Sequence, residues 1–366
     1  MTAWRRIVIK VGSAVLAQAE GGLDASFLDG LVQQITALGR ETQVVLVSSG
    51  AILAGMASLG LPKRPKDLPQ LQATASIGQG ILMRMYEERL RAQGRLTAQV
   101  LLTQADLEDR QRYLNARNTL LTLLAADAVP VVNENDTVAV EEITFGDNDR
   151  LSALVAHLID ADALLILTDV DGFLQDGQLL SRVERITPAL EALARGPQRT
   201  TSLGGMATKL QAARMGMSAG IPVVVAHGRQ PGIIAAILAG QAVGTWFVPS
   251  TKKLTAHKRW LAFGSRRSHG TIIVDHGARA ALLTRHTSLL PSGVVACKGP
   301  FVTGDVVTIA DEAHHPIGRG LTNYSAADLT KICGKKTQEV STILGAKPYD
   351  EVVHRDNLVI TAEADT

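Results

Sequence analysis

An α/β architecture, a mostly parallel central sheet between helices with a smaller C-terminal β-rich unit after it, is the fold class this sequence predicts. Three observations carry that expectation. Short apolar runs rich in Val and Ile alternate with longer helical patterns through the first part of the chain, the rhythm of strand–helix–strand units. Several runs, such as Ala163-Leu-Leu-Ile-Leu167, are apolar throughout, which implies a sheet covered on both faces. Around residue 250 the rhythm gives way to short strands separated by Gly and Pro.

Taken in order, strands are expected at 7–11, 44–47, 100–102, 129–132, 163–167 and 223–226, each a short Val, Ile or Leu run. Helices are expected between them at 25–38, 51–59, 113–126, about 149–159 and about 206–219. The tail offers strands at 270–274, 293–297 and 305–309. The expected division is a first domain over 1–251, a basic linker over 252–269 and a β-rich domain over 270–366. With 366 residues and 46% hydrophobic content, the chain can bury a core in each domain.

Charge and cysteine usage narrow the class. The net charge is only +2, but residues 252–269 hold six basic side chains and no acidic one, whereas 271–366 hold nine basic and eleven acidic. Nucleic-acid sites depend on Lys and Arg, so a net-negative tail argues against nucleic acid as a partner. Cys297 and Cys333 cannot by themselves build a metal cluster, and so few cysteines suit a reducing compartment with two free thiols. No apolar run approaches the roughly 18 residues of a spanning helix. A soluble, cytoplasmic protein without a membrane partner is expected.

Polar and glycine clusters follow the strands. Lys10-Val-Gly12-Ser13 comes after the first, Ser48-Ser49-Gly50-Ala51 after the second, and Thr168-Asp169 after the fifth. In open α/β sheets ligands bind at the carboxyl ends of strands, so three such clusters in one topological place mark a site. Ser49-Gly50-Ala51 opens a helix, whose free N–H groups suit an anion, with ordinary capping by Ser49 as the alternative. Gly204-Gly205-Met206 enters another helix that bears Lys209, and lysine beside glycine at Lys10 and at Lys209 looks like a phosphate clamp. Between them lie Asn133-Glu134-Asn135-Asp136 and Gly146-Asp147-Asn148-Asp149, dense in groups that could hold an ammonium and orient lysines. Neither a Gly-x-x-x-x-Gly-Lys-Ser/Thr loop nor a Gly-x-Gly-x-x-Gly fingerprint is present.

Together with Leu114-Asn115-Ala116-Arg117, these stretches resemble the amino-acid kinase family, in particular its members that phosphorylate the γ-carboxylate of glutamate in proline synthesis. The resemblance covers nearly the whole chain and includes a PUA-like tail. It implies ATP as substrate with Mg²⁺ as cofactor. By the same resemblance, Ser49, Gly50, Asp136 and Asn148 bind glutamate. Lys10, Gly12, Thr168, Asp169 and the run Leu203, Gly204, Gly205, Met206, Ala207, Thr208 and Lys209 bind ATP, while Lys10, Lys209 and Asp149 are catalytic, Asp149 holding both lysines. Metal ligands are not assigned. Leu203 stands where the family often has threonine, and Ala14 where serine is frequent. Proline as feedback inhibitor, a homodimer or homotetramer, and hand-over of product to glutamyl phosphate reductase are further implications. The competing activities are those of acetylglutamate or aspartate kinases, and a less favoured one is RNA binding through the tail.

Overall fold

In the computed structural model, the described residues are 4–139, 148–175, 177–194, 205–249, 268–285, 287–345 and 349–361, and they form two compact units that divide between Lys253 and Leu254. Leu203, Gly204, the Gly146-Asp147 pair and most of the basic stretch lie outside them.

The first unit contains strands β1 (Arg6–Val11), β2 (Gln43–Ser48), β3 (Leu96–Leu102), β4 (Ala128–Glu134), β5 (Ala163–Thr168), β6 (Leu174–Gln175), β7 (Gln178–Leu179), β8 (Arg182–Val183), β9 (Val223–His227) and β10 (Thr245–Phe247). Eight of them form one sheet in the order β3-β4-β2-β1-β5-β9-β10-β8, and β6 and β7 pair separately as a hairpin. From β3 to β9 every pairing is parallel, whereas β10 runs antiparallel to β9. The side chains of β5 are buried along its whole length, as a central strand with covered faces requires. Ile7, Ile9, Leu46, Val131, Leu165 and Val224 continue that core across the sheet.

The helix Leu68–Ala92 lies where the sequence suggested no element. Asp67 caps it by accepting from Gln70 N, Pro69 sits in its first turn, and Leu71, Ala75, Leu82, Tyr86 and Leu90 make its buried stripe. Gly78 and Gly80 in the middle weaken the local helix signal. Packing explains one of them. A Cβ on Gly78 would stand 1.8 Å from Ala51 O, and one on Gly55 would stand 1.9 Å from Thr74 O, so this helix and Ala51–Ser58 cross with their backbones in contact.

The second unit holds β11 (Gly270–Val274), β12 (Val294–Lys298), β13 (Val306–Ala310), β14 (Pro316–Leu321) and β15 (Leu358–Ile360) in a five-stranded sheet of order β12-β11-β13-β14-β15. Its own core includes Ile272, Leu282, Val307, Ile309, Leu329 and Val353. Cys297 and Cys333 are free thiols. Among the described residues, no helix is long and apolar enough to cross a membrane.

Candidate active site

Because β1, β2, β4 and β5 run parallel and in register, with Val11 opposite both Ser48 and Leu167 and Val47 opposite Val132, the residues following each strand meet along one rim. The rim is centred on β1, where the chain passes from one flank of the sheet to the other.

Lys10 sits one residue before the end of β1 and is 4% exposed, with Nζ 2.5 Å from Asp149 Oδ1. Asp149 is fully buried in the first turn of the helix Asn148–Leu158, where the helix dipole favours an acid. Its Oδ2 is 3.2 Å from Lys209 Nζ and accepts from Thr208 Oγ1 at 2.7 Å, both residues belonging to the start of the helix Met206–Ser218. Burial pushes the Asp149 carboxyl up, but attraction to Lys10 and Lys209, with hydrogen bonds from Lys10 and Thr208, outweighs it and holds the group down at about 2. Burial lowers Lys209, and repulsion from Lys10 adds to this while Asp149 and Asp169 oppose it. Two buried ammonium groups thus share one buried carboxylate, so these three side chains together are net positive. Concentrating positive charge in a buried place is costly, and an anion arriving at the rim offsets that cost.

A second cluster lies on the other flank of β1. Asn148 Nδ2 donates to Ser49 Oγ at 2.9 Å and to Asn133 Oδ1 at 3.0 Å, and Asn133 Nδ2 donates to Gln79 Oε1 at 2.8 Å. Ser48 Oγ pairs with the buried Tyr86 hydroxyl at 2.9 Å, and burial pushes that phenol up to about 12. Ser49 does not cap the following helix. The cap is Gly50, at φ +106°, where a Cβ would come within 3.1 Å of Leu16 and Leu23. Asp136, just past β4, is half-buried, and burial raises its carboxyl to about 6 against the opposing attraction of Arg64.

On the β5 side, Thr168 is buried and its Oγ1 donates to Asp169 Oδ1 at 3.0 Å, while Gly228 N donates to Thr168 O at 2.8 Å and ties β5 to the end of β9. Gly12 N donates to Leu167 O at 3.1 Å, and a Cβ on Gly12 would stand 3.6 Å from Lys10 Nζ, so glycine leaves the approach to that amine open. Gly205 caps the Lys209 helix in an extended conformation that any residue can adopt, and its Cβ position is open space. Met206 and Thr208 are half-buried and Ala207 is exposed.

The structure therefore brings Lys10, Asp149, Thr208 and Lys209 into one cluster and Ser49, Asn148 and Asn133 into another. The two clusters are joined through Asn148 and Asp149, neighbours in the first turn of one helix. Asp136, Thr168 and Asp169 stand on the same rim. Sequence reasoning gave Asn133 no separate role and missed Gln79, which lies on the unexpected helix. The available signal was a polar side chain beside glycine in a weak helical pattern.

Residues 5–227 match the amino acid kinase family and residues 270–344 match the PUA domain. The chain is 52% identical to a glutamate 5-kinase of Moorella thermoacetica over 364 residues, covering 97% of this chain and 96% of that one. It is 46% and 45% identical to proteins of the same name from Caldanaerobacter subterraneus subsp. tengcongensis and Syntrophotalea carbinolica, with 97% of each chain covered.

Proposed function

Because the chain belongs to the amino acid kinase family, we infer that it transfers the γ-phosphoryl group of ATP to the γ-carboxylate of L-glutamate, giving L-glutamyl 5-phosphate and ADP, the first step of proline biosynthesis. The near-full-length identity to glutamate 5-kinases supports this substrate over acetylglutamate or aspartate. The observation that carries the chemistry is the pair of buried ammonium groups, Lys10 and Lys209, held on one carboxylate at the sheet edge.

The nucleophile is a carboxylate with an ordinary pKa of about 4.3, already ionised at neutral pH, so no general base is needed. Catalysis reduces to in-line positioning and charge stabilisation. Lys10 and Lys209 neutralise the transferring phosphoryl group, and Asp149 fixes both amines in place. Ser49, Gly50, Asp136 and Asn148 seat glutamate, Asp136 accepting from its ammonium. Gly12, Thr168, Asp169 and the run from Leu203 to Lys209 bind ATP. Mg²⁺ would enter on the ATP phosphates, since Asp149 is already engaged by two ammonium groups; the ion supplies charge neutralisation there. Proline carries an α-carboxylate and a secondary ammonium where the glutamate headgroup has a primary one, and would compete at the Asp136 end. A cytoplasmic homo-oligomer that passes its labile product to a reductase completes the reading.

The test is hydroxamate formation by the full-length protein, dependent on both ATP and glutamate, with and without proline. Product with N-acetylglutamate or aspartate but none with glutamate would overturn the assignment.

A further inference from the structure

The crossing at Gly55 and Gly78 brings the helix Leu68–Ala92 close against the site, and the next residue after Gly78 is Gln79. Three polar side chains of this helix, spaced to share one face, bond the stretch that contains Asp136. Gln72 Nε2 donates to Ala139 O at 3.3 Å, Ser76 Oγ pairs with Thr137 Oγ1 at 3.1 Å, and Gln79 Oε1 accepts from Asn133 Nδ2 at 2.8 Å. Gln79 thus reaches the same short segment as Asp136.

The hydrogen bonds fix which way each amide points. Asn133 Oδ1 accepts from Glu134 N at 2.9 Å and from Asn148 Nδ2 at 3.0 Å, so its two ends are assigned. Gln79 has therefore committed its oxygen and presents Nε2, a pure donor. Asn148 has committed its amino group to Ser49 and Asn133 and presents Oδ1, a pure acceptor. Gln79 Nε2 and Asn148 Oδ1 are both buried, and neither has a hydrogen-bond partner among the described residues. Such atoms are rare in folded proteins, and each asks for an explanation. One unsatisfied donor and one unsatisfied acceptor, joined through Asn133 on the segment that also carries Asp136, match the headgroup of an amino acid.

We propose that Gln79 Nε2 donates to the α-carboxylate of the substrate and that Asn148 Oδ1, with Asp136, accepts from its α-ammonium. This rests on the reading that the phosphoryl acceptor is glutamate. Gln79 is then a specificity-determining residue: a donor there favours the charged α-carboxylate, with two acceptor oxygens, over an α-carboxamide, whose single oxygen is the weaker acceptor.

The variant Gln79→Glu separates this role from a structural one, because a carboxylate still accepts from Asn133 Nδ2 but can no longer donate. The full-length wild type and Gln79→Glu are compared with L-glutamate and with its α-amide, L-isoglutamine, which keeps the reacting γ-carboxylate and the α-ammonium. For the wild type, kcat/KM favours glutamate. In Gln79→Glu, kcat/KM for glutamate is expected to fall roughly 10²-fold, mainly through KM. The preference over isoglutamine should narrow or invert, and the KM for ATP should hold. An unchanged glutamate-to-isoglutamine ratio would overturn the proposal. If Gln79→Glu does not fold, as judged by its thermal melt, Gln79→Met takes its place: removing the donor without adding charge must narrow the ratio, and a constant ratio again overturns the proposal. A wild type inactive toward glutamate would instead refute the proposed activity.

Discussion

Asp149→Asn and Lys209→Met should separate stability from catalysis at the charged cluster. In the wild type, Asp149 is held near 2 by two ammonium groups, well below the ordinary carboxylate value of about 3.9. The depressed value corresponds to roughly 2–3 kcal/mol of stability, present above pH of about 4 and lost as pH falls through about 2. Replacing the carboxylate removes that contribution and leaves Lys10 and Lys209 buried together without the acid they share, a loss of about 3–5 kcal/mol for a broken buried network. In a unit of this size about 2–4 °C accompanies each kcal/mol, so the first thermal transition should fall by roughly 10 °C. Lys209→Met behaves differently because it leaves a neutral Lys10–Asp149 pair at 2.5 Å, and its stability should change by no more than about 1 kcal/mol. Both variants should lose roughly 10²–10³ in kcat, with Asp149→Asn leaving the glutamate KM close to wild type. The assay is a thermal melt at pH 7 alongside steady-state kinetics. Equal destabilisation by the two variants would refute the charge count, and a pure rise in glutamate KM for Asp149→Asn would make Asp149 a substrate ligand.

Other outcomes follow from the same geometry. Asp136 must be ionised to accept from an ammonium, and burial raises it to about 6. The glutamate KM should therefore climb as pH drops below about 6, and Asp136→Ala should raise KM and abolish that pH dependence; a profile flat to pH of about 5 in the wild type would contradict it. Gly78→Ala places a methyl carbon 1.8 Å from Ala51 O, a backbone atom, so the two helices must separate. A loss of about 1–3 kcal/mol or more, with weaker glutamate binding, is expected in a melt and a KM measurement. Arg117 donates to Leu158 O at 2.8 Å and to Asp160 at 2.7 Å, closing the C-terminus of the helix whose first turn carries Asn148 and Asp149. Arg117→Met should cost about 1–3 kcal/mol in a thermal melt while glutamate remains the preferred acceptor.

The central strands were legible because each is a short, mostly apolar run, with polar residues at its ends and Lys10 in β1, and burial on both faces of a parallel sheet demands that pattern. The helix Leu68–Ala92 was not. Its glycines read as breaks in a local propensity, although Gly78 serves a contact with another helix. Ser49 shows the same limit: its sequence position suits an N-cap, and only packing shows that Gly50 takes that place while the hydroxyl accepts from Asn148.

The sequence by itself determined which strand ends carry lysine, glycine, amide and acid, since those residues adjoin recognisable apolar runs. The tertiary structure decided how they pair. Lys10 and Lys209 share Asp149 because β1 and two helix starts converge on one rim, and Gln79 faces Asn133 because two glycines let helices touch. Periodicity is a local property and survives in the linear chain, whereas net buried charge and unsatisfied amide atoms exist only once distant segments have been packed together.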